Sequence, residues 1–438
     1  MPLLNPLASL DRIFTRSWIK TGMKKGGDMN STINLQTNQT RYHAFDTLRA
    51  IMMLLGVYIH AVAAFSTIPH VWWYKDALAG AAYDVQLLAI HTFRMPVFFV
   101  MAGFFAALLI KKRGSKSFIR NRKDRILIPF LLSSILIIPL LKALQLCIWI
   151  IEKKGTFQPD LFFKYYLSMF KHLGTAHFWF LLYLVYFYLL AIAFRSVHQF
   201  LKNRFTGFSK SIRLSAWMQG AQRPIRYLFI SLSLIGLLNI KVGVFPAPQG
   251  ILPDWRSILA YGPFVLFGWL LYNFRDGLDQ YAKKGWKMLG IGLAWMGLAI
   301  LFCQFQMTDP VLKGVWHLLT ALAGAACVWY MIYGLIGIFL KYFNSPSQGG
   351  RFLSDSSYWI YIVHAPVLLL FQMQVFKMSW SAEAKMIYAF LMASIVSVVS
   401  YNWLVRPTFI GKLLNGKKQP PLKLRFRKAG KEAYQVQG

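Results

Sequence analysis

Long apolar blocks separated by short polar segments dominate this chain. Ten runs are long and apolar enough to cross a hydrocarbon core of about 30 Å: residues 46 to 67, 84 to 110, 126 to 151, 177 to 197, 226 to 244, 256 to 272, 286 to 304, 315 to 340, 356 to 376 and 386 to 405. Between the fifth and sixth runs, Val244-Phe-Pro-Ala-Pro-Gln-Gly250 reads as a Pro/Gly turn. The pattern predicts an all-α polytopic membrane protein of about ten transmembrane helices. Residues 1 to 45 form a polar, basic leader with no apolar core long enough for a cleavable signal, so the first span is expected to stay as an uncleaved anchor. Residues 46 to 405 form the membrane domain and 406 to 438 a basic cytoplasmic tail.

Composition narrows this picture. The 438 residues are 56% hydrophobic, 16% aromatic and only 15% charged, which excludes an ordinary soluble domain. A net charge of +34 would point to nucleic acid in a soluble protein. Here the placement of the charges decides otherwise. With the N-terminus cytoplasmic, the inner segments carry 36 basic residues and the outer loops 8, the ratio expected of a ten-span protein with both termini inside. The expected partner of the basic segments is therefore the bilayer, with no nucleic acid. Cys147, Cys303 and Cys327 lie in apolar runs without metal-ligand spacing, so neither a disulfide nor a metal site is expected. No Walker loop, HExxH or GxSxG stretch is present.

Candidate chemistry begins in the first span. Arg49, Met53, Gly56 and His60 share one helix face, and the eleven residues from Arg49 to His60 rise roughly 16 Å. A snorkelling arginine and an interfacial histidine would look the same, but ionisable groups within a span are costly and mark functional sites. The second span descends through His91-Thr-Phe-Arg94-Met-Pro96, placing His91 and Arg94 on one face at about the depth of His60. Pro96 is expected to kink that span. His177, in His177-Phe-Trp179, starts the fourth span, and Tyr361 and His364 precede Pro366 in the ninth. His60, His91, His177 and Arg94 thus converge on one outer level if the spans pack together.

At the inner level, Lys111-Lys112-Arg113 is followed by Arg120, Arg122, Lys123 and Arg125. Such a run is commonly an orientation signal facing anionic lipid; it also suits the phosphates of a polyanionic ligand such as coenzyme A. Arg49, with Asp46 three residues before it, enters the bundle from the same level. The aromatic residues Phe162, Phe163, Tyr165 and Tyr166 of the outer segment 152 to 176 fit an interfacial belt or sugar stacking.

The order of these blocks resembles the acyltransferase-3 family of integral-membrane acyltransferases, and within it the branch that modifies osmoregulated periplasmic glucans with succinyl groups. The matching stretches are Asp46-Thr-Leu-Arg49 with Gly56 and His60; His91-Thr-Phe-Arg94 with Gly103; Arg122 and Arg125 before Pro129; His177-Phe-Trp179; Tyr261-Gly-Pro263 with Gly268; and Tyr361-Ile-Val-His364-Ala-Pro366. The resemblance implies a multi-pass protein of the bacterial inner membrane that moves a succinyl or acetyl group from cytosolic acyl-CoA, as co-substrate, to hydroxyls of a periplasmic glucan. No bound cofactor is implied. His60 would be general base, with Arg94 or His91 at the oxyanion. Arg49, Asp46, Arg122 and Arg125 would hold the donor, and His177, Trp179, Tyr261, Tyr361 and His364 would line the cavity. An acyl-histidine relay and direct transfer remain alternatives, as do an O-acetyltransferase for another surface polysaccharide or lipid-linked sugar, a glycan or anion transporter, and a non-catalytic partner of a glucan synthase.

Overall fold

In a computed structural model, residues 42–69, 71–170, 174–204, 222–240 and 245–422 are described. Most of the expected leader and the end of the expected tail lie outside the described residues. The described chain is helical, with no strand among the described residues. Its helices are α1 (His43–Ala63), α2 (Ala81–Arg122), α3 (Ile128–Lys154), α4 (Pro159–Tyr166), α5 (Trp179–Arg204), α6 (Gln222–Leu238), α7 (Trp255–Asn273), α8 (Leu278–Thr308), α9 (Lys313–Tyr342), α10 (Gln348–Val375), α11 (Ala382–Ser400) and α12 (Phe409–Asn415). A five-residue π turn, Lys123–Leu127, joins α2 to α3, and a second, Tyr401–Val405, follows α11.

Seven helical stretches among the described residues are long and apolar enough to cross a membrane. The expected spans 84 to 110 and 126 to 151 share one of them, Ala81–Lys154. Those expected at 226 to 244 and 256 to 272 fall on α6 and α7, outside the seven. Within α2 the dihedrals stay helical through Pro96 and leave the helical region at Gly114, whose φ of +76° suits a residue without Cβ. A proline removes one hydrogen bond, whereas a left-handed residue redirects the chain.

The core forms around α1, which packs against α2, α9, α10 and α11. Its residues Phe45, Leu48, Val57 and Val62 are almost fully buried, so the helix with the costly polar groups has little surface left for lipid. Helices α2 and α7 cross in backbone contact. A Cβ at Gly103 would lie 2.0 Å from the Val265 carbonyl oxygen, and one at Gly268 only 1.9 Å from that of Val100. These two glycines let the crossing close and fix where α2 presents its polar residues.

The segment between α1 and α2 folds down over one end of the bundle, here termed the loop end. The Asp76 amide donates to the Ala64 carbonyl, and the Ser66 hydroxyl to Asp84. Lys385 of α11 reaches the Asp76 carboxylate at 3.1 Å and the Phe376 carbonyl at 3.2 Å, with side-chain exposures of only 5% and 1% for the pair. A buried ion pair is costly to break from one side, because the remaining charge stays desolvated. Lys385→Met is expected to lower stability by about 3–5 kcal/mol, and adding Asp76→Leu to recover most of the loss. Thermal unfolding in detergent checks this; equal midpoints for the single and double variants would show that the pair acts otherwise.

Candidate functional site

A cavity of about 650 Å³ opens at the loop end. Its wall takes Met53 and His60 from α1, His91 and Arg94 from α2, His177 from the short turn leading into α5, Trp179 from the first position of α5, and Tyr361 and His364 from α10. Trp72, from the segment before α2, and Gln249, from the turn before α7, complete it. The histidines and arginine expected at one level are therefore brought together, and His364 joins them.

Gly56 explains how α1 and α2 share the wall. A Cβ at this position would lie 2.1 Å from Arg94 Nη1, so the guanidinium occupies the space that a side chain would need. Arg94 Nε is buried with no hydrogen-bond partner, and no hydrogen bond engages the guanidinium among the described residues. No aspartate or glutamate is among the lining residues. A desolvated cation without a counterion is unfavourable unless an anion, permanent or transient, comes to it.

His60 is held differently. Its ring stacks on Trp72, with centroids 5.1 Å apart, and on His364 at 5.2 Å. No hydrogen bond engages its imidazole among the described residues. Trp72 is fixed by Nε1 donating to Gln372 Oε1 at 2.9 Å, while Gln372 Nε2 donates to the His60 carbonyl at 3.5 Å. The base candidate is thus located by packing, with both ring nitrogens open to chemistry.

The other three histidines are tied to main-chain carbonyls. His91 Nε2 donates to Phe245 O at 2.8 Å, and His177 Nε2 to Ile362 O at 3.3 Å. His364 Nδ1 faces Ile360 O at 3.0 Å and Tyr361 O at 2.9 Å. A carbonyl only accepts, so each facing nitrogen carries hydrogen. The Tyr361 hydroxyl donates to the His177 carbonyl at 2.6 Å, which anchors the start of α5 to α10. Tyr261, expected in the lining, stands behind it: its hydroxyl donates to Pro246 O and its ring packs against Trp179.

The expected donor residues gather at the opposite end and line no part of this cavity. Arg49 Nη2 reaches Ser354 Oγ at 2.7 Å and Asp46 Oδ1 at 3.4 Å. Arg125 lies against Gly416, just after α12, and Arg122 sits over the rings of Phe118 and Tyr188. Sequence reasoning assigned Arg406 only to the tail. In the fold it lies over Phe352, two residues from Ser354, with Nε and Nη1 buried and unpartnered. Trp72 and Gln372 were also missed, because their pairing spans 300 residues and neither carries charge.

A family model described as an acyltransferase domain matches residues 42–402. The chain belongs to the acyltransferase-3 family. It is similar to proteins named Glucans biosynthesis protein C. That of Salmonella paratyphi B (strain ATCC BAA-1250 / SPB7) is 26% identical over 404 residues, covering 89% of this chain and 98% of the relative. That of Salmonella schwarzengrund (strain CVM19633) is 25% identical over 402 residues, with the same coverage of both chains. No solved structure matches the chain. This acyltransferase is a multi-pass membrane protein, as its apolar helices and its family agree.

Proposed function

We propose that this acyltransferase moves an acyl group, succinyl in preference to acetyl, from cytosolic acyl-CoA to hydroxyls of a periplasmic glucan, and that it resides in the bacterial inner membrane. One observation carries the reading: His60, with an imidazole, and Arg94, with a guanidinium, that no hydrogen bond engages among the described residues, line one cavity. That pair is what acyl transfer to an alcohol requires. His60 takes the acceptor's proton as the oxygen attacks the thioester carbonyl carbon. The carbonyl π pair moves to oxygen, and Arg94 stabilises the resulting oxyanion. The oxyanion then collapses, the C–S bond breaks, and the thiolate leaves with the proton that His60 holds. The products are an ester and the free thiol of coenzyme A.

Donor recognition is assigned to the opposite end, where Arg49, Arg125 and Arg406 offer charged donors suited to phosphates. Asp46 orients Arg49 from the preceding turn. Arg122 lies on the same approach. The glucan acceptor is supported by the relatives' name; another surface polysaccharide or lipid-linked sugar would use the same chemistry.

The test is deletion of the gene, followed by mass spectrometry of ester-linked acyl groups on periplasmic and surface glycans. Loss of the esters is expected, with the glycan still made and exported. Unchanged acyl content would overturn the reading, and accumulation of unexported glycan in the cytosol would favour transport.

A further inference from the structure

His177 and His364 do something different from His60. Each has one ring nitrogen committed to a backbone carbonyl, which fixes the ring and places the lone pair of the neutral imidazole on the other nitrogen. Those other nitrogens, His177 Nδ1 and His364 Nε2, are buried and have no hydrogen-bond partner among the described residues. The residues are 8% and 2% exposed, both line the cavity, and their ring centroids are 5.0 Å apart. Two fixed acceptors thus stand side by side in a wall with no carboxylate. Buried acceptors of this kind are destabilising until a donor reaches them.

A locked ring is poorly suited to carrying a proton, because protonating the free nitrogen and releasing the other proton would break its bond to the main chain. It is well suited to holding one. The matching ligand therefore presents hydrogens, and on the acyl-transfer reading, which this inference rests on, those hydrogens belong to hydroxyls. We infer that His177 and His364 form a hydroxyl-receiving subsite that orients a sugar ring of the acceptor through two of its O–H groups. They are positioning residues. His364 stacks on His60, so a hydroxyl held at this subsite lies beside the base. Trp72 and Trp179 supply aromatic surface for the sugar's C–H faces.

The test uses the full chain in lipid nanodiscs, with a glucose tetrasaccharide as probe and the intrinsic fluorescence of the cavity tryptophans as readout. His364→Leu and His177→Leu are each expected to weaken binding about tenfold, the value of one hydrogen bond. His364→Gln keeps an acceptor oxygen and is expected to recover most of the loss. In the transfer assay, KM for the saccharide should rise about tenfold in the leucine variants while KM for the acyl-CoA stays unchanged. The inference is overturned if wild-type protein binds no saccharide, if folded leucine variants bind as wild type, or if the glutamine variant is no better than leucine. His177→Leu carries the test if His364→Leu does not fold. Saccharide binding without transfer by the wild type would remove the acyl-transfer reading and leave the subsite; transfer with unchanged saccharide KM would do the reverse.

Discussion

His60→Ala is expected to lower the rate of acyl transfer by about 10²–10⁴-fold, the usual contribution of a positioned general base. The size of the effect follows from how the residue is held. His60 makes no side-chain hydrogen bond among the described residues, so its removal leaves no buried donor or acceptor orphaned. What is lost structurally is its stacking on Trp72 and His364, worth about 0.5–1.5 kcal/mol for each aromatic pair. Stability should therefore fall by no more than about 1–3 kcal/mol while turnover collapses. The measurement is transfer of labelled acyl groups by purified protein in nanodiscs, with unfolding followed in parallel. Full activity in the alanine variant would move the base elsewhere and leave the family assignment standing. A collapse of stability matching that of activity would make His60 a packing residue.

Much of this site was legible from residue spacing. Arg49, Met53, Gly56 and His60 fall on one face because helical periodicity is strict; the helix expected over residues 46 to 67 is present and runs from His43 to Ala63. His91 and Arg94 share a face for the same reason, and both reach the cavity that His60 lines. Their shared level along the bundle was legible too, since residues counted along a helix convert directly to height. Pairings across the chain were not. Trp72 with Gln372, and Asp76 with Lys385, join positions about 300 residues apart, and single-chain periodicity holds no term for them. Arg406 was hidden by its company: within a basic tail, one arginine folded back over Phe352 has no distinguishing sequence pattern. Tyr261 misled in the other direction. Its block lies close to the site, but the turn at residues 245–250 gives its hydroxyl a carbonyl partner behind the cavity wall.

Gly56→Ala is expected to lower acyl transfer by about 10²–10³-fold without replacing any residue that meets the substrate, the loss typical of removing one oxyanion donor. Alanine is the better helix former by up to about 1 kcal/mol, so propensity alone favours the variant. The cost arises in space. The new methyl carbon would stand 2.1 Å from Arg94 Nη1, and the guanidinium must move because the backbone of α1, packed against four helices, has less freedom to do so. Among the described residues no hydrogen bond holds the Arg94 guanidinium in place, so the shift is easy and the cation leaves its position over α1. The signature is loss of turnover with stability kept or raised. A double-mutant cycle identifies the route. If Gly56 acts by placing Arg94, then the double variant Gly56→Ala with Arg94→Met should lose little more than Gly56→Ala loses alone. Additive losses would mean that the glycine acts through α1 itself. Wild-type activity in the alanine variant would show that the stabilising charge comes from another group, with His91 the next to test. On the proposed reading, one helix face would then serve both halves of the chemistry: the base by its own side chain, and the cation through the gap left where a side chain is missing.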